Sequence, residues 1–153
     1  MSIVQDRLDS LGITLPEAPA AAANYVPVRL VGDMAYVAGQ IPRIDGNIVA
    51  AGPVPSAQTT EAATRAARIC ALNAISALQA ALGDLDRIQA IARVGVFVAS
   101  DPGFADQATI GNGASDLLVD VFGERGRHAR AAVGSVALPL GVTVEVDMIA
   151  QFK

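Results

Sequence analysis

The chain has 153 residues, a formal net charge of −4 at neutral pH and one cysteine, Cys70. This length is typical of a single domain that buries its own hydrophobic core, and one cysteine excludes an internal disulfide. The eleven lysine and arginine residues are dispersed, tryptophan is absent and aromatic residues make up 4% of the chain, so a nucleic-acid-binding surface is not expected.

The composition also predicts contact with other subunits. Hydrophobic residues account for 52% of the chain and charged residues for 17%, whereas an average soluble domain has roughly 25% charged residues. A surface with so little charge is often covered by another subunit, and an alanine-rich composition bias is the alternative explanation.

The N-terminal segment is predicted to be a short helix, Ile3–Leu11, which ends at Gly12. Asp6 and Asp9 interrupt its apolar residues, so we expect neither a signal peptide nor a membrane span. Together with the single cysteine, this favours a reducing compartment, which we expect to be the cytoplasm. The alanine-rich stretch Ala18–Ala23 follows two prolines and is predicted to be an irregular connection.

Two hairpins are predicted next. The segment Val28–Val37 is interpreted as two short strands joined by a tight turn at Gly32–Asp33. The segment Ile44–Ile48 is centred on Asp45–Gly46, a pair that suits a type I′ turn because both central positions need positive φ.

The clearest predicted element is a helix over Thr59–Leu82, which contains neither glycine nor proline and has an apolar residue every three or four positions. Thr59 or Thr60 can cap its start, and Gly83 ends it. The elements predicted after it are a buried strand at Ile91–Val98, a weaker helix at Asn112–Phe122, and strands at Ala131–Ala137 and Val142–Phe152. This order predicts an α+β fold in which two helices cover one face of a mixed sheet.

Metal sites and nucleophile motifs are not predicted. One histidine and one cysteine without a neighbouring carboxylate cluster do not make a zinc or iron site, and no phosphate-binding glycine motif or nucleophile elbow occurs. His128 is interpreted as a surface residue in a loop before a strand, and Cys70 as a small buried apolar residue of the long helix. We therefore expect neither a metal nor a cofactor.

Two charged residues stand out because they occur within strands that are otherwise apolar, Arg130 and Glu145. If the intervening Leu138–Gly141 segment is a simple hairpin loop, Gly134 pairs with Glu145, and alternation puts both charged side chains on one face. The small residue Ala132 would leave room between them. A guanidinium can bind a carboxylate through two parallel hydrogen bonds, and a carboxylate can orient or deprotonate water. Ordinary solvated surface charges are the alternative interpretation.

Several short motifs follow one another along the chain. They are Tyr25, Val37–Pro42, Gly95–Val98, Asn112, Ala129–Val133, Leu138–Pro139 and Val142–Val146. In this order and spacing they resemble the Rid (YjgF-like) family, also called the endoribonuclease L-PSP family, and the resemblance covers nearly the whole chain from about residue 18.

The resemblance implies a single domain over residues 1–153 with a chorismate-mutase-like α+β fold, of which residues 1 to about 20 are an N-terminal helical extension. It implies a homotrimer with clefts between subunits, and hydrolysis of reactive enamines and imines, such as 2-aminoacrylate and 2-iminopropionate, to keto acids and ammonia. The residue matching Arg130 holds the substrate carboxylate and the residue matching Glu145 positions water. Tyr25, Gly39 and Asn112 match other residues that line the cleft.

The sequence departs from better-known members of the family at two positions of the cleft. Ala38 replaces a serine and Ala132 replaces a cysteine. Outside the cleft, the stretch between Phe104 and Asn112 is longer, and the N-terminal helix is additional. These differences suggest a divergent subgroup. A module that binds a small carboxylate in the same cleft without turnover is therefore an alternative, and an endoribonuclease is a third.

Overall fold

The computed structural model describes residues 2–20 and 23–153, so that two residues of the predicted Ala18–Ala23 connection, 21 and 22, lie outside the described residues. The elements in chain order are α1 (Ile3–Ser10), β1 (Val28–Val31), β2 (Met34–Gln40), β3 (Arg43–Ile44), β4 (Asn47–Ile48), α2 (Thr60–Leu82), β5 (Ile88–Ala99), α3 (Gln107–Phe122), β6 (Ala129–Ser135) and β7 (Val144–Phe152). Their order confirms the predicted α+β class.

Five strands form one mixed sheet in the order β1–β2–β7–β5–β6, and β3 and β4 form a separate hairpin. The β5–β6 pair is parallel and is joined through α3, whereas the other pairs are antiparallel. α2 and α3 pack together on one face of the sheet, which we call the covered face. The other face carries no helix from the described residues and is called the open face.

The core lies between the covered face and the two long helices. Alternate residues of β5 and β7 point into it, among them the fully buried Val94, Val96 and Val146. α2 contributes Ile75 and Leu78 from its apolar stripe. Among the described residues, no helix is both long and apolar enough to cross a membrane.

The local signals read from the sequence determine where several elements begin and end. The Thr59 hydroxyl accepts a hydrogen bond from the backbone N–H of Ala62 at 3.0 Å, which caps α2, and Gly83 ends the helix in a left-handed conformation with φ of 76°. Asp45 and Gly46 both have positive φ, as the predicted type I′ turn requires. These three predictions are confirmed.

The start of α3 differs from the prediction, because the helix begins at Gln107 and not at Asn112. Gly111 and Gly113 lower the helix propensity of its first turns by roughly 1 kcal/mol each, which hid the true start. Both glycines lie at close contacts. A Cβ on Gly113 would overlap the carbonyl oxygen of Thr64 on α2, and one on Gly111 would lie 3.0 Å from the Arg130 guanidinium.

The predicted hairpin between the last two strands is wrong. β5 lies between them, since β6 pairs in parallel with one edge of β5 and β7 pairs antiparallel with the other. Apolar strand patterns do not specify a pairing partner. The connection over residues 136–143 is long enough to cross the roughly 10 Å that separates strands two positions apart in a sheet.

The buried thiol provides a first testable expectation. Cys70 is fully buried in α2, where its Sγ lies 3.6 Å from the carbonyl oxygen of Val144. Burial raises the pKa of the Cys70 thiol well above its usual value, and the negative charge of Glu145 raises it further. We expect a thiol reagent to label the native protein at least about a hundredfold more slowly than the unfolded chain. Equal rates with and without urea would contradict the buried position.

Candidate functional site

The candidate site is built around Arg130, which lies on the edge strand β6 with its side chain on the covered face, under the first turns of α3. Its Nη1 donates hydrogen bonds to Asn112 Oδ1 at 2.9 Å and to Ser115 Oγ at 3.1 Å. Its Nη2 donates to the carbonyl oxygen of Ala108 at 3.2 Å. All three acceptors are neutral groups, so the positive charge of the guanidinium is held in place without being neutralised.

Arg130 keeps donors for a ligand. A guanidinium has five N–H donors, and three of them meet acceptors here. The Nε–H and one Nη2–H have no acceptor in the described part of the chain. Among the described residues, no carboxylate lies within ion-pair distance of Arg130. Two free donors on one charged, planar group are what a carboxylate requires for two parallel hydrogen bonds.

The position of the acceptors follows from helix geometry. Ala108, Gly111, Asn112 and Ser115 are spaced i, i+3, i+4 and i+7 along α3 and therefore share one face. Gly111 allows the guanidinium to approach the helix backbone, and Ala132, on the same face of β6, packs beside it. This spacing could have identified Ser115 and Ala108 from the sequence, had the start of α3 been placed correctly.

His128 lies in the loop before β6, as the sequence predicted, and makes contacts that the sequence did not indicate. It is half-buried, its Nε2 lies 2.9 Å from Ser115 Oγ, and its Nδ1 lies 2.6 Å from the carbonyl oxygen of Gly126. An open pocket of about 330 Å³ lies beside these groups and is lined by Ser115, Asp116, Val119, Arg127, His128 and Arg130. A ligand can reach the guanidinium of Arg130 from this pocket.

Glu145 does not share a face with Arg130, contrary to the sequence prediction. Phe97 of β5 pairs with both Val133 of β6 and Glu145 of β7, whereas Arg130 pairs with Val94. Cross-strand partners point to the same face of a sheet. Glu145 therefore lies on the open face and Arg130 on the covered face, so the two cannot grip the same small ligand within one protomer.

The Glu145 carboxylate lies against the backbone of Gly39. The register of the β2–β7 pair shifts between Val37 and Gln40, so Gly39 belongs to an irregular segment of β2. A Cβ at Gly39 would overlap Glu145 Oε1, and the glycine is thus required for this approach. Burial raises the pKa of Glu145 above its usual value of 4.5, and the neighbouring charge of Asp147 raises it further.

Asp147 is a second carboxylate on the open face. It lies beside Gly95, whose missing side chain makes room for it, and its Oδ1 is 3.8 Å from Nη1 of Arg93. This oxygen is buried and has no hydrogen-bond partner among the described residues. Apolar side chains also remain exposed on this face, with Tyr36 at 44% and Val133 at 46%. The open face thus combines uncovered apolar surface with an incompletely satisfied carboxylate.

The remaining predicted site residues lie at separate places. Asn112 and Ala132 are next to Arg130, as described above. Tyr25 is in the irregular segment before β1 with 52% of its surface exposed, and Ala38 is half-buried next to Gly39. The structure thus places Asn112 and Ala132 near Arg130, and Ala38 and Gly39 near Glu145. In the part of the chain that the structure describes, no three histidine, cysteine or carboxylate side chains are grouped as a metal site would need.

Comparison with known proteins assigns the chain to a family. A family model described as "YjgF/chorismate mutase-like, putative endoribonuclease" matches residues 5–152. The chain belongs to the YjgF family. This confirms the resemblance read from the sequence motifs, and it confirms the chorismate-mutase-like fold.

Three similar proteins illustrate the match. Protein TCP17 from Trypanosoma cruzi is 46% identical and the alignment covers 98% of this chain and 94% of the relative. The solved structure of Atu1372, a protein of unknown function from Agrobacterium tumefaciens, is 44% identical with a TM-score of 0.92, and the match covers 99% of this chain and 93% of that one. TdcF from E. coli, solved with bound serine, is 26% identical with a TM-score of 0.63, covering 90% of this chain and 94% of that one.

Proposed function

We propose that this YjgF-family protein hydrolyses small imino and enamino acids of the 2-iminopropionate and 2-aminoacrylate type to keto acids and ammonia. The observation that carries the proposal is the guanidinium of Arg130, which is fixed by three neutral acceptors and retains two free donors. The carboxylate is the constant feature of such substrates. Bound serine in the related TdcF is a further small molecule with a carboxylate and an α-nitrogen.

In the proposed reaction, water adds to the C=N carbon of the imine and the resulting carbinolamine expels ammonia to leave the keto acid. An enamine first becomes the imine by gaining a proton at carbon and losing one from nitrogen. Arg130 holds the carboxylate, and Glu145 orients the water, accepts its proton and passes it to the nitrogen that leaves as ammonia. Tyr25, Ala38, Gly39, Asn112 and Ala132 line the same cleft in this proposal.

The site requires a second copy of the chain, because Arg130 and Glu145 lie on opposite faces of the sheet. In a cyclic assembly with head-to-tail contacts, the covered-face edge of one subunit can meet the open face of the next. We propose a homotrimer of this kind, located in the cytoplasm, where an unpaired cysteine such as Cys70 stays reduced.

Sedimentation equilibrium tests the assembly. At micromolar concentration we expect a mass of three chains of 15.6 kDa, because burial of the open face in the assembly would remove its exposed apolar side chains from water. A mass of one chain under these conditions would contradict the trimer and, with it, a site shared between subunits.

A carboxylate-binding module without turnover is the second candidate. The observation that favours it is Ala38 beside Gly39 and Ala132 beside Arg130, because neither side chain can donate or accept a hydrogen bond at these positions. The two candidates differ only in whether water is activated. Arg130 has the same role in both.

Ammonia release separates the candidates. An imino acid pool is generated by an amino acid oxidase or a dehydratase, and ammonia is followed with and without this protein. Faster release supports hydrolysis, and binding of pyruvate without faster release supports the binding module. A parallel incubation with single-stranded RNA tests the endoribonuclease activity that the family description names, and RNA cleavage without ammonia release would overturn the proposal.

The pH dependence of hydrolysis reports on Glu145. A carboxylate is ionised above its pKa, so the raised pKa of Glu145 means that activity falls as the pH drops through a value above 4.5. Asp147→Asn removes one of the two causes of this raised pKa, and we expect the acidic limb of the kcat profile to move to lower pH. Asp120 is an exposed carboxylate on α3, and Asp120→Asn is the control for the loss of one negative charge. Identical profiles for the three proteins would contradict the assigned role of Glu145.

A further inference from the structure

A continuous chain of hydrogen bonds leads from Arg130 into the protein. Arg130 Nη1 lies 3.1 Å from Ser115 Oγ, Ser115 Oγ lies 2.9 Å from His128 Nε2, and His128 Nδ1 lies 2.6 Å from the carbonyl oxygen of Gly126. The chain links α3 with the segment that precedes β6. None of the motifs that identify the family includes Ser115 or His128.

With a neutral His128 ring, the two ends of this chain determine the position of every proton in it. A guanidinium can only donate, so Ser115 Oγ accepts from Arg130 and its own O–H is available to donate. A carbonyl oxygen can only accept, so Nδ1 of His128 carries a proton and donates to Gly126. In a neutral imidazole the other nitrogen is then an acceptor, and Nε2 accepts the Ser115 proton. For a neutral ring, this is the one direction in which all the bonds are satisfied.

The far end of the chain is held rigidly. Gly126 is buried, and a Cβ at this position would overlap the carbonyl oxygen of Leu118 on α3. The preceding Arg125 donates from Nη1 to the carbonyl oxygen of Ile88 at 2.8 Å, which fixes the turn to the start of β5. The orientation of the His128 ring is thus set by well-packed backbone, and the ring transmits it to the Ser115 hydroxyl.

We propose that Ser115 and His128 are positioning residues that hold the Arg130 guanidinium in the rotation that presents its Nε–H and remaining Nη2–H to a carboxylate. Ser115 occupies one Nη1 hydrogen, and a neutral His128 keeps the Ser115 oxygen turned towards it. The inference rests on the proposed role of Arg130 as the carboxylate clamp and specifies how that clamp is oriented.

Binding of pyruvate, followed by NMR titration of the assembled protein, tests the clamp. We expect Ser115→Ala to weaken pyruvate binding about tenfold and His128→Ala about fivefold, which is the effect of a misdirected hydrogen bond to a charged group. The uncharged analogue pyruvamide should be insensitive to both changes. Thr109→Val removes another hydroxyl of α3, one that donates only to Asp106, and should leave the pyruvate affinity unchanged.

A double-mutant comparison distinguishes positioning from a general structural effect. If His128 acts only through Ser115, the double variant Ser115→Ala/His128→Ala binds pyruvate no more weakly than Ser115→Ala alone. His128→Gln, whose side-chain amide oxygen can accept the Ser115 proton, should recover much of the affinity lost in His128→Ala. Effects that multiply in the double variant, or no recovery with glutamine, would overturn the proposal.

Nitrogen NMR of the ligand-free protein tests the chain of hydrogen bonds directly. We expect the His128 ring to carry its proton on Nδ1 with Nε2 unprotonated, and the rotation of the Arg130 guanidinium to become faster in Ser115→Ala than in the wild type. A ring protonated on Nε2 would refute the assigned chain of bonds. If the ring has the expected tautomer but the wild type binds neither pyruvate nor imino acid, the proposed function fails while the hydrogen-bond chain stands, and the positioning role fails with it.

Discussion

Replacement of Arg130 by alanine is expected to lower kcat/KM on 2-iminopropionate by about two to four powers of ten. Hydrogen bonds to charged groups contribute roughly 1.5–3 kcal/mol each, and the substrate carboxylate loses two of them. Arg130→Lys keeps the charge but not the planar fork, and we expect it to remain strongly impaired. The measurement is steady-state ammonia release, after confirmation that each variant assembles as the wild type does.

Arg43 provides a matched control. It is an exposed arginine on β3, in the separate hairpin and outside the pocket beside Arg130. Arg43→Ala should change kcat/KM by less than about threefold, which corresponds to under ~1 kcal/mol. If Arg130→Ala retained activity within the same factor, the carboxylate-clamp role would have to be abandoned.

Substitution of Glu145 should affect a different kinetic constant. Glu145→Gln keeps the shape of the side chain but removes the group that orients and deprotonates water, so we expect kcat to fall about a hundredfold or more. KM should stay within about threefold of the wild type, because the carboxylate is bound by Arg130. A rise in KM with unchanged kcat would place Glu145 in substrate binding instead.

Mixing the two inactive variants tests whether the site is shared between subunits. When Arg130→Ala and Glu145→Gln chains are unfolded together and refolded as mixed trimers, about a quarter of the head-to-tail interfaces combine an intact Arg130 with an intact Glu145. We therefore expect about a quarter of the wild-type activity to return. No recovery in confirmed mixed trimers would show that both residues act within one chain.

Much of the fold could be predicted from the sequence, because its signals are local. The cap at Thr59, the glycine at Gly83 and the Asp45–Gly46 turn each act through their own backbone geometry, and all three occur as expected. Strand pairing is not local in this sense. An apolar strand such as β6 presents the same pattern to any neighbour, and its parallel pairing with β5 depends on the crossover through α3.

The candidate site was predicted in part for the same reason. Arg130 stood out because a charge in an apolar strand is unusual, and the structure shows it with free donors. Its partners Ser115 and Ala108 were missed because Gly111 and Gly113 concealed the first turns of α3. The face assigned to Glu145 was wrong because it followed from the hairpin that does not form.

The position of β5 between β6 and β7 has a consequence for regulation by concentration. The sheet separates Arg130 on one face from Glu145 on the other. Under the proposed function a dissociated subunit therefore holds two half-sites and no complete one. Specific activity would then fall on dilution below the dissociation constant of the assembly, and newly synthesised chains would stay inactive until they meet their partners.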